Sequence, residues 1–277
     1  MLRNMHDLEH YAIHATDGAI GHVQDFYFDD QTWVVRFLVV ETGTWLSHRK
    51  VLISPIAIGR PNWAEKWLPV SITKEQVKHS PEIDTKKPVS RQHEMQQLQY
   101  YGLPYYWGGA GIWGDGTYPN MLHPNYHGMV AAPEALQAES ERTVARARPA
   151  QYNNDDSHLR DCKVVMNYHV QATDGDIGHV EGMLVDEETW VVRYLVVNTS
   201  NWWLGHQVLV ATEWIEDISW QDATVSVNFT RQAVKNAPPY NATTLPDRDQ
   251  EISIYDHYHR PAYWSPEERR DAILSRC

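Results

Sequence analysis

The sequence predicts an all-β protein made of two small antiparallel β-barrels in tandem, with short helices and extended aromatic tails. The main observation is a repeat with an offset of 157 residues: between His14 and Ser54, 21 of 41 positions are identical in the second copy, without a gap. Within each copy, short β-branched and aromatic runs alternate with turn residues, which is typical of small barrels. Two copies are too few for a stacked solenoid, which needs about three. The sequence therefore predicts a duplicated globular module.

Turn and strand signals define the elements of the first copy. Asp17-Gly18 predicts a hairpin, because glycine accepts a positive φ at little steric cost. Gly21 predicts a bulge or a close backbone contact inside a strand. The run Trp33 to Val40 predicts a central strand that is buried on both faces. Strands are predicted at residues 11–14, 20–28, 33–40, 50–53 and 67–72, with helical turns at 7–9 and 55–58 and a helix capped by Thr73 at 74–78.

The repeat also predicts the domain boundaries. The first barrel covers residues 1–82, its aromatic tail 83–107, a linker 108–157, the second barrel 158–239, and a second aromatic tail with a short C-terminal helix 240–277. The linker is rich in glycine and proline and then, from Glu134, in alanine, glutamate and arginine. Ser265-Pro266 predicts the start of the C-terminal helix, because serine caps helices and proline suits their first position.

Charge and composition exclude several classes of protein. The formal net charge is −12, of which residues 158–277 carry −8 and residues 1–107 only −1. Because an acidic surface repels phosphate, we expect no nucleic-acid partner, and a basic or neutral partner suits the second copy. No apolar run approaches the ~18 residues of a membrane helix, so no membrane insertion is expected. With two cysteines at non-equivalent positions and no signal-peptide pattern, a cytoplasmic location is expected.

Repeated polar residues are candidates for chemistry, but their positions favour a structural role. Asp17, His22, Asp29 and Arg36 recur 157 positions later. The aspartates occupy turn positions, where they bond to their own backbone, and Arg36 interrupts an apolar strand and suits pairing with a turn carboxylate. No catalytic residue and no cofactor site is predicted, because nucleophile and nucleotide motifs are absent from the sequence.

Two histidine pairs are the weak candidates for a metal site. They are His257 with His259, and His123 with His127. Two imidazoles one or a few residues apart can chelate zinc, nickel or copper. Neither pair has a matched third ligand, so no dedicated metal site is predicted.

The repeated motifs resemble those of the PRC-barrel family, named for the cytoplasmic domain of the photosynthetic reaction-centre H subunit. The resemblance rests on the segment from Ala15 to Gly21, the strand from Trp33 to Val40, their duplicates at residues 172–178 and 190–197, and the tail ending Tyr105-Tyr106-Trp107. It implies tandem PRC-type barrels like those of stand-alone bacterial members. Because the family works mainly through interaction domains, it also implies an adaptor role.

The predicted function is therefore a non-enzymatic scaffold that binds protein partners. The aromatic residues that we expect to contact partners are Trp45, Trp202 and Trp203 in equivalent loops, and Tyr101, Tyr105, Tyr106, Trp107, Tyr258, Tyr263 and Trp264 in the tails. The sequence leaves open whether the chain forms a homo-oligomer or a higher-order assembly. The alternatives are a metal- or small-ligand-binding sensor and an accessory subunit of a photosynthetic or electron-transfer complex. The second of these rests on fold analogy.

Overall fold

A computed structural model describes residues 1–83, 89–123, 158–199 and 206–264. Over these ranges the protein is predominantly β, with two sheets and short helices, as the sequence predicts. The chain forms two compact units. The first unit contains the described residues of Asp7–Lys163 together with Glu187–Val191, and the second contains Met1–His6, Val164–Asp186 and the described residues from Val192 onward.

Strands and helices of the first repeat recur in the second at the same offset. In chain order the strands are β1 (Leu2–Asn4), β2 (Ala12–Ala15), β3 (Gly18–Asp29), β4 (Val35–Thr42), β5 (Lys50–Ile53), β6 (Trp67–Pro69), β7 (Leu159–Asp161), β8 (His169–Ala172), β9 (Gly175–Asp186), β10 (Val192–Asn198), β11 (Gln207–Ala211), β12 (Ile215–Ser219), β13 (Thr224–Val227) and β14 (Pro239–Tyr240). The helices are α1 (Met5–Leu8), α2 (Lys74–Lys78), α3 (Arg91–Tyr100), α4 (Cys162–Val165), α5 (Arg231–Lys235) and α6 (Arg248–His257).

The first sheet, in the first unit, has the strand order β5-β4-β3-β2-β6, and β7 also pairs with β3. Its pairings are antiparallel except that of β2 with β6. Seven of the eight residues of β4 are buried, the first six of them consecutively. This strand is therefore buried on both faces, and it forms the centre of the core together with β3.

The second sheet, in the second unit, has the strand order β12-β13-β8-β9-β10-β11-β14, and β1 also pairs with β9. Only the pairing of β13 with β8 is parallel. The core again lies along the two central strands, and Met183, Leu184, Tyr194 and Leu195 are fully buried there. The same pattern of residues thus builds a similar core in each unit.

Turn chemistry explains how the hairpins and short helices are placed. Gly18 has a φ of 137° in the β2–β3 turn. The preceding Asp17 accepts a hydrogen bond from the backbone N–H of Lys74 (2.8 Å) and so holds the start of α2. A Cβ on Gly21 would lie 1.9 Å from the carbonyl oxygen of Glu41, which explains why glycine is required inside β3.

The strand predicted at residues 33–40 begins later than predicted, at Val35. Trp33 has a φ of 57°, which belongs to the left-handed region and not to a strand. Asp29 creates this turn, because its Oδ1 accepts the backbone N–H groups of Gln31 (3.0 Å) and Thr32 (3.1 Å). Trp190 repeats the conformation with a φ of 59°.

The described strand pairings do not close either sheet into a barrel, so the predicted closed barrels are not found. In the first sheet the edges are β5 and β6, and only isolated bridges, of Ile58 with Val70 and of Asn62 with Trp67, link the segment after β5 to β6 and its end. The 3-10 turn Pro55–Ala57 ends β5 before a longer ladder can form. In the second sheet β12 and β14 are the edges.

Each repeat supplies one strand to the sheet of the other repeat. The N-terminal β1 pairs with β9 of the second sheet, with Leu2 opposite Asp186. Its equivalent in the second repeat, β7, pairs with β3 of the first sheet, with Leu159 opposite Asp29. This reciprocal strand exchange is not predicted from the sequence. The boundaries predicted at residues 82, 107, 157 and 239 stay predictions.

Two remaining points concern membrane-spanning helices and the predicted features that lie outside the described ranges. Among the described helices, none has the length and apolar character needed to cross a membrane. Trp202, Trp203, His127, the helix predicted from Ser265 and the linker after His123 lie outside the described residues.

Strand exchange predicts that a substitution in the first repeat destabilises the second unit. Leu2 is buried in β1, and we expect Leu2→Ala to cost about 2–5 kcal/mol because it removes buried methyl groups. Amide hydrogen exchange should become faster at Leu184 to Asp186. The exposed His6→Ala substitution is the control, and faster exchange confined to Tyr27–Asp29 would contradict the assignment.

Candidate functional site

Each aromatic tail folds back onto its own unit through a helix. In the first tail, α3 begins after Ser90, whose Oγ accepts the N–H of His93 (3.4 Å). In the second tail, α6 begins after Asp247, which forms a capping box with Gln250. Each helix carries an arginine in its first position and a glutamate three residues later, so both side chains lie on one face. The two glutamates are buried.

Arg36 lies at the centre of the first cluster. Its guanidinium carbon lies 3.8 Å from the ring centroid of Tyr106 and 4.6 Å from that of Trp113. Nη1 donates a hydrogen bond to the carbonyl oxygen of Ile112 (2.6 Å), and Nη2 lies 3.8 Å from Oδ2 of Asp29. Two aromatic rings, a backbone carbonyl and a carboxylate of the same unit therefore surround this buried cation.

Glu94 joins α3 to the rest of the cluster. Its Oε2 accepts hydrogen bonds from Nη1 of Arg91 (3.2 Å) and from the hydroxyl of Tyr106. Nε2 of His158 lies 3.1 Å from Oε1. The guanidinium of Arg91 also stacks on Trp107 at 4.4 Å. A fully buried carboxylate is stable only with such partners, and here the chain itself provides them.

The second unit contains the same cluster at equivalent positions. The guanidinium of Arg193 lies 4.0 Å from the ring centroid of Tyr263, and Nε lies 4.0 Å from Oδ2 of Asp186. Oε2 of Glu251 accepts a hydrogen bond from Nη1 of Arg248 (2.9 Å). Oε1 of the same carboxylate accepts one from the Tyr263 hydroxyl (2.8 Å). The arrangement is therefore a property of the repeated module.

The two clusters differ in one partner of the buried glutamate. In the second unit the hydroxyl of Tyr194 donates to Oε1 of Glu251 (2.9 Å). The equivalent residue in the first unit is Phe37, which has no hydroxyl. His158, immediately before β7, occupies that role by its contact with Glu94. The first unit thus uses an imidazole where the second uses a phenol.

Burial and charge shift the ionisation of these groups. Burial lowers the pKa of Arg36 and raises the pKa of Tyr106 well above its usual value. Burial raises the pKa of the Glu251 carboxyl, although its hydrogen bonds and the nearby arginines oppose that shift. Burial also disfavours the charged form of His158, but contact with Glu94 outweighs this and the net effect raises the pKa of the imidazole.

A separate set of ion pairs is formed by Lys163, which follows the exchanged strand β7. Lys163 Nζ lies 3.7 Å from Oδ2 of Asp25 and 3.7 Å from Oε2 of Glu9. Burial and the neighbouring carboxyl of Asp161 raise the pKa of Asp25 to about 8. Burial and the surrounding carboxylates likewise raise the pKa of the Cys162 thiol, which disfavours the reactive thiolate.

The polar side chains of the duplicated cluster form their hydrogen bonds and ion pairs with other parts of the same chain. Arginine and tyrosine donors hold each glutamate, and aromatic rings cover the arginine faces. A buried network of this kind, whose donors and acceptors come from separate segments, favours one position of the tail on its sheet. Its arrangement therefore supports a structural role, which is also what the sequence favours for Asp29 and Arg36.

The structure buries five of the eight described aromatic residues that are predicted to contact partners. The buried ones are Tyr101, Tyr105, Tyr106, Tyr258 and Trp264, and the half-buried ones are Trp45, Trp107 and Tyr263. Trp45 is anchored, since its Nε1 donates to the carbonyl oxygen of Ile20 (2.6 Å) and Lys74 stacks on its ring at 4.6 Å. Partner contact by these residues stays a prediction, with little free surface to support it.

The described histidine candidates do not assemble a metal site. Nε2 of His257 lies 2.8 Å from the carbonyl oxygen of Ala233, so this imidazole joins α6 to α5. His259 is exposed and has a φ of 52°. Within the described ranges, no group of three or more histidine, cysteine, aspartate or glutamate side chains has the arrangement that a metal ion needs.

Sequence reasoning missed the residues that complete the cluster, although a signal was present. Arg91 and Glu94 recur as Arg248 and Glu251 at the 157-residue offset. The aromatic residues of the tails are a more conspicuous feature of the repeat than this pair of charged residues. The role of His158 has no such signal, because its equivalent in the first repeat is Met1.

Comparison with known proteins identifies a domain in the first repeat. Residues 3–77 match the model of the PRC-barrel domain, which confirms the resemblance drawn from the sequence motifs. No curated protein matches the chain significantly.

Removing the Glu94 charge should loosen the first tail. We expect Glu94→Gln to lower the stability of the first unit by about 3–5 kcal/mol, because it leaves Arg91 and the Tyr106 hydroxyl without the buried carboxylate that they contact. Thermal unfolding and amide exchange in α3 measure the effect. Glu82→Gln, on an exposed glutamate, is the control, and equal effects of the two substitutions would contradict a special role for Glu94.

The contact between His158 and Glu94 should make the first unit sensitive to pH. Because the folded-state pKa of His158 is raised above its ordinary value of 6.5, its contribution is complete below that value and is lost as the pH rises through the folded pKa. The loss of stability in His158→Gln should therefore shrink as the pH rises above 6.5 and through the folded-state pKa. His22→Gln, on an exposed histidine, is the control, and a loss independent of pH would exclude the protonated contact.

Proposed function

We propose that this chain, whose residues 3–77 match the PRC-barrel domain, is a non-enzymatic scaffold that binds protein partners through two PRC-type modules. The observation that carries the proposal is the duplicated arginine–glutamate–tyrosine cluster. Both copies use their ionisable groups to hold a tail helix against its own unit. Rigid repeated modules of this kind are suited to presenting surfaces to other proteins.

The cluster also changes where partner binding is expected. Aromatic tails whose rings pack against arginines of their own unit have limited area left for a partner. Exposed strands and loops of the modules are better placed, and the net charge of −8 on residues 158–277 favours a basic partner there. The sensor and the accessory-subunit alternatives stay predictions, and no specific contact in the described residues favours either.

Binding of a purified partner tests the scaffold function. Cross-linking in native cells, followed by purification of the captured protein, should give a partner that binds the full chain in titration calorimetry. Elemental analysis of the same preparation should find no stoichiometric metal. Failure of every captured protein to bind after purification would reject the scaffold, as would conversion of a partner or small molecule by the purified chain.

A further inference from the structure

The edge strand β12 of the second sheet is open on one side. It pairs with β13 from Ile215 to Ser219, and among the described residues no strand lies along its other edge. In a strand, alternate residues direct their N–H and C=O groups to opposite sides, so an edge presents a row of groups that can pair with another chain. Glu216 and Asp217 are exposed, and Ile215, Ile218 and Ser219 are half-buried, so this edge is accessible.

The equivalent segment of the first unit has no such edge. Residues 58–62 make only isolated bridges, between Ile58 and Val70 and between Asn62 and Trp67. Pro61 replaces Ile218 and has no N–H to donate, while Gly59 replaces Glu216. A five-residue edge strand, whose pairing has one register shift between Ile215 and Asp217, is thus a feature of the second unit.

The negative charges on and beside β12 determine which segments can pair with this edge. Glu216 and Asp217 project from it, and Asp222 lies in the following turn, where its Oδ2 accepts a hydrogen bond from the hydroxyl of Ser219 (2.7 Å). Arg60 stands in the first unit at the position of Asp217. Like charges repel when strands lie side by side, so the acids disfavour pairing of two copies of β12. Lysine and arginine side chains on an added strand would instead be attracted.

We propose that β12 accepts an extended, lysine- or arginine-rich segment of a partner protein as an additional strand. This inference rests on the scaffold function proposed above, and it gives that function a surface and a class of partner. Backbone hydrogen bonds along β12 supply the affinity of such strand addition. Glu216 and Asp217 supply the preference for basic sequence.

Defined peptides added to the full chain test the proposal. The probe is a short peptide of alternating lysine and valine. Its controls are the glutamate–valine peptide and a lysine–valine peptide N-methylated on alternate amides, which keeps its charge but cannot extend a sheet. Fluorescence anisotropy measures affinity, and amide hydrogen exchange locates the site. We expect the lysine–valine peptide alone to bind and to protect Ile215 to Ser219.

Charge reversal tests whether peptide binding depends on the acidic residues of β12 or on the net negative charge of the second unit. Replacing Glu216→Lys and Asp217→Lys together should weaken binding roughly tenfold. The double substitution Asp249→Lys and Asp256→Lys on α6 changes the net charge equally and should have a much smaller effect. Thermal unfolding shows that both variants are folded.

The outcomes distinguish this proposal from the scaffold function. Equal binding of the N-methylated peptide, or protection elsewhere, would reject strand addition at β12. Protection of β12 by raising the protein concentration alone would identify a second copy as the occupant and would also reject it. In these cases a purified partner that still binds the full chain leaves the scaffold function intact. If no partner binds, the scaffold function itself fails.

Discussion

The pairing of a fully buried glutamate with arginine and tyrosine is the constraint on which each unit depends. Glu94 is inaccessible to solvent, and a carboxylate in that position is tolerated only when donors surround it. The donors come from separate segments: Arg91 from α3 and Tyr106 from the end of the tail. Satisfying this one group therefore fixes the position of the tail on its sheet and orders the rings around Arg36.

Strand exchange places a second constraint on the chain. Because β1 completes the second sheet and β7 completes the first, each unit needs residues from both repeats. The same short segment also carries ionisable partners, since His158 and Lys163 flank β7 and contact Glu94 and Asp25. Packing, backbone pairing and electrostatics thus act together at this point of the first unit.

The sequence predicted local features well and long-range partners poorly. The Asp17-Gly18 turn, the close approach at Gly21 and the capped helix α2 follow from local chemistry, so each could be read from a few residues. The left-handed Trp33 could not, because a run of β-branched residues hides the turn made by Asp29. The cluster joins residues from β4, α3 and the tail end, which lie far apart in the sequence. A sequence repeat shows which residues of the two copies are equivalent, but it does not show which strand a segment pairs with. Hence the exchange of β1 and β7 was missed, and closed barrels were expected where the sheets have edges.

The reciprocal exchange of β1 and β7 also bears on ancestry. A single module whose N-terminal strand pairs with another copy would exist as a strand-swapped homodimer, and joining two such subunits in one gene would preserve both swaps. Fusion frees each half to change independently, because symmetry no longer imposes every substitution twice. Phe37 with His158 in one half, and Tyr194 in the other, are differences of the kind that a fused pair can accumulate.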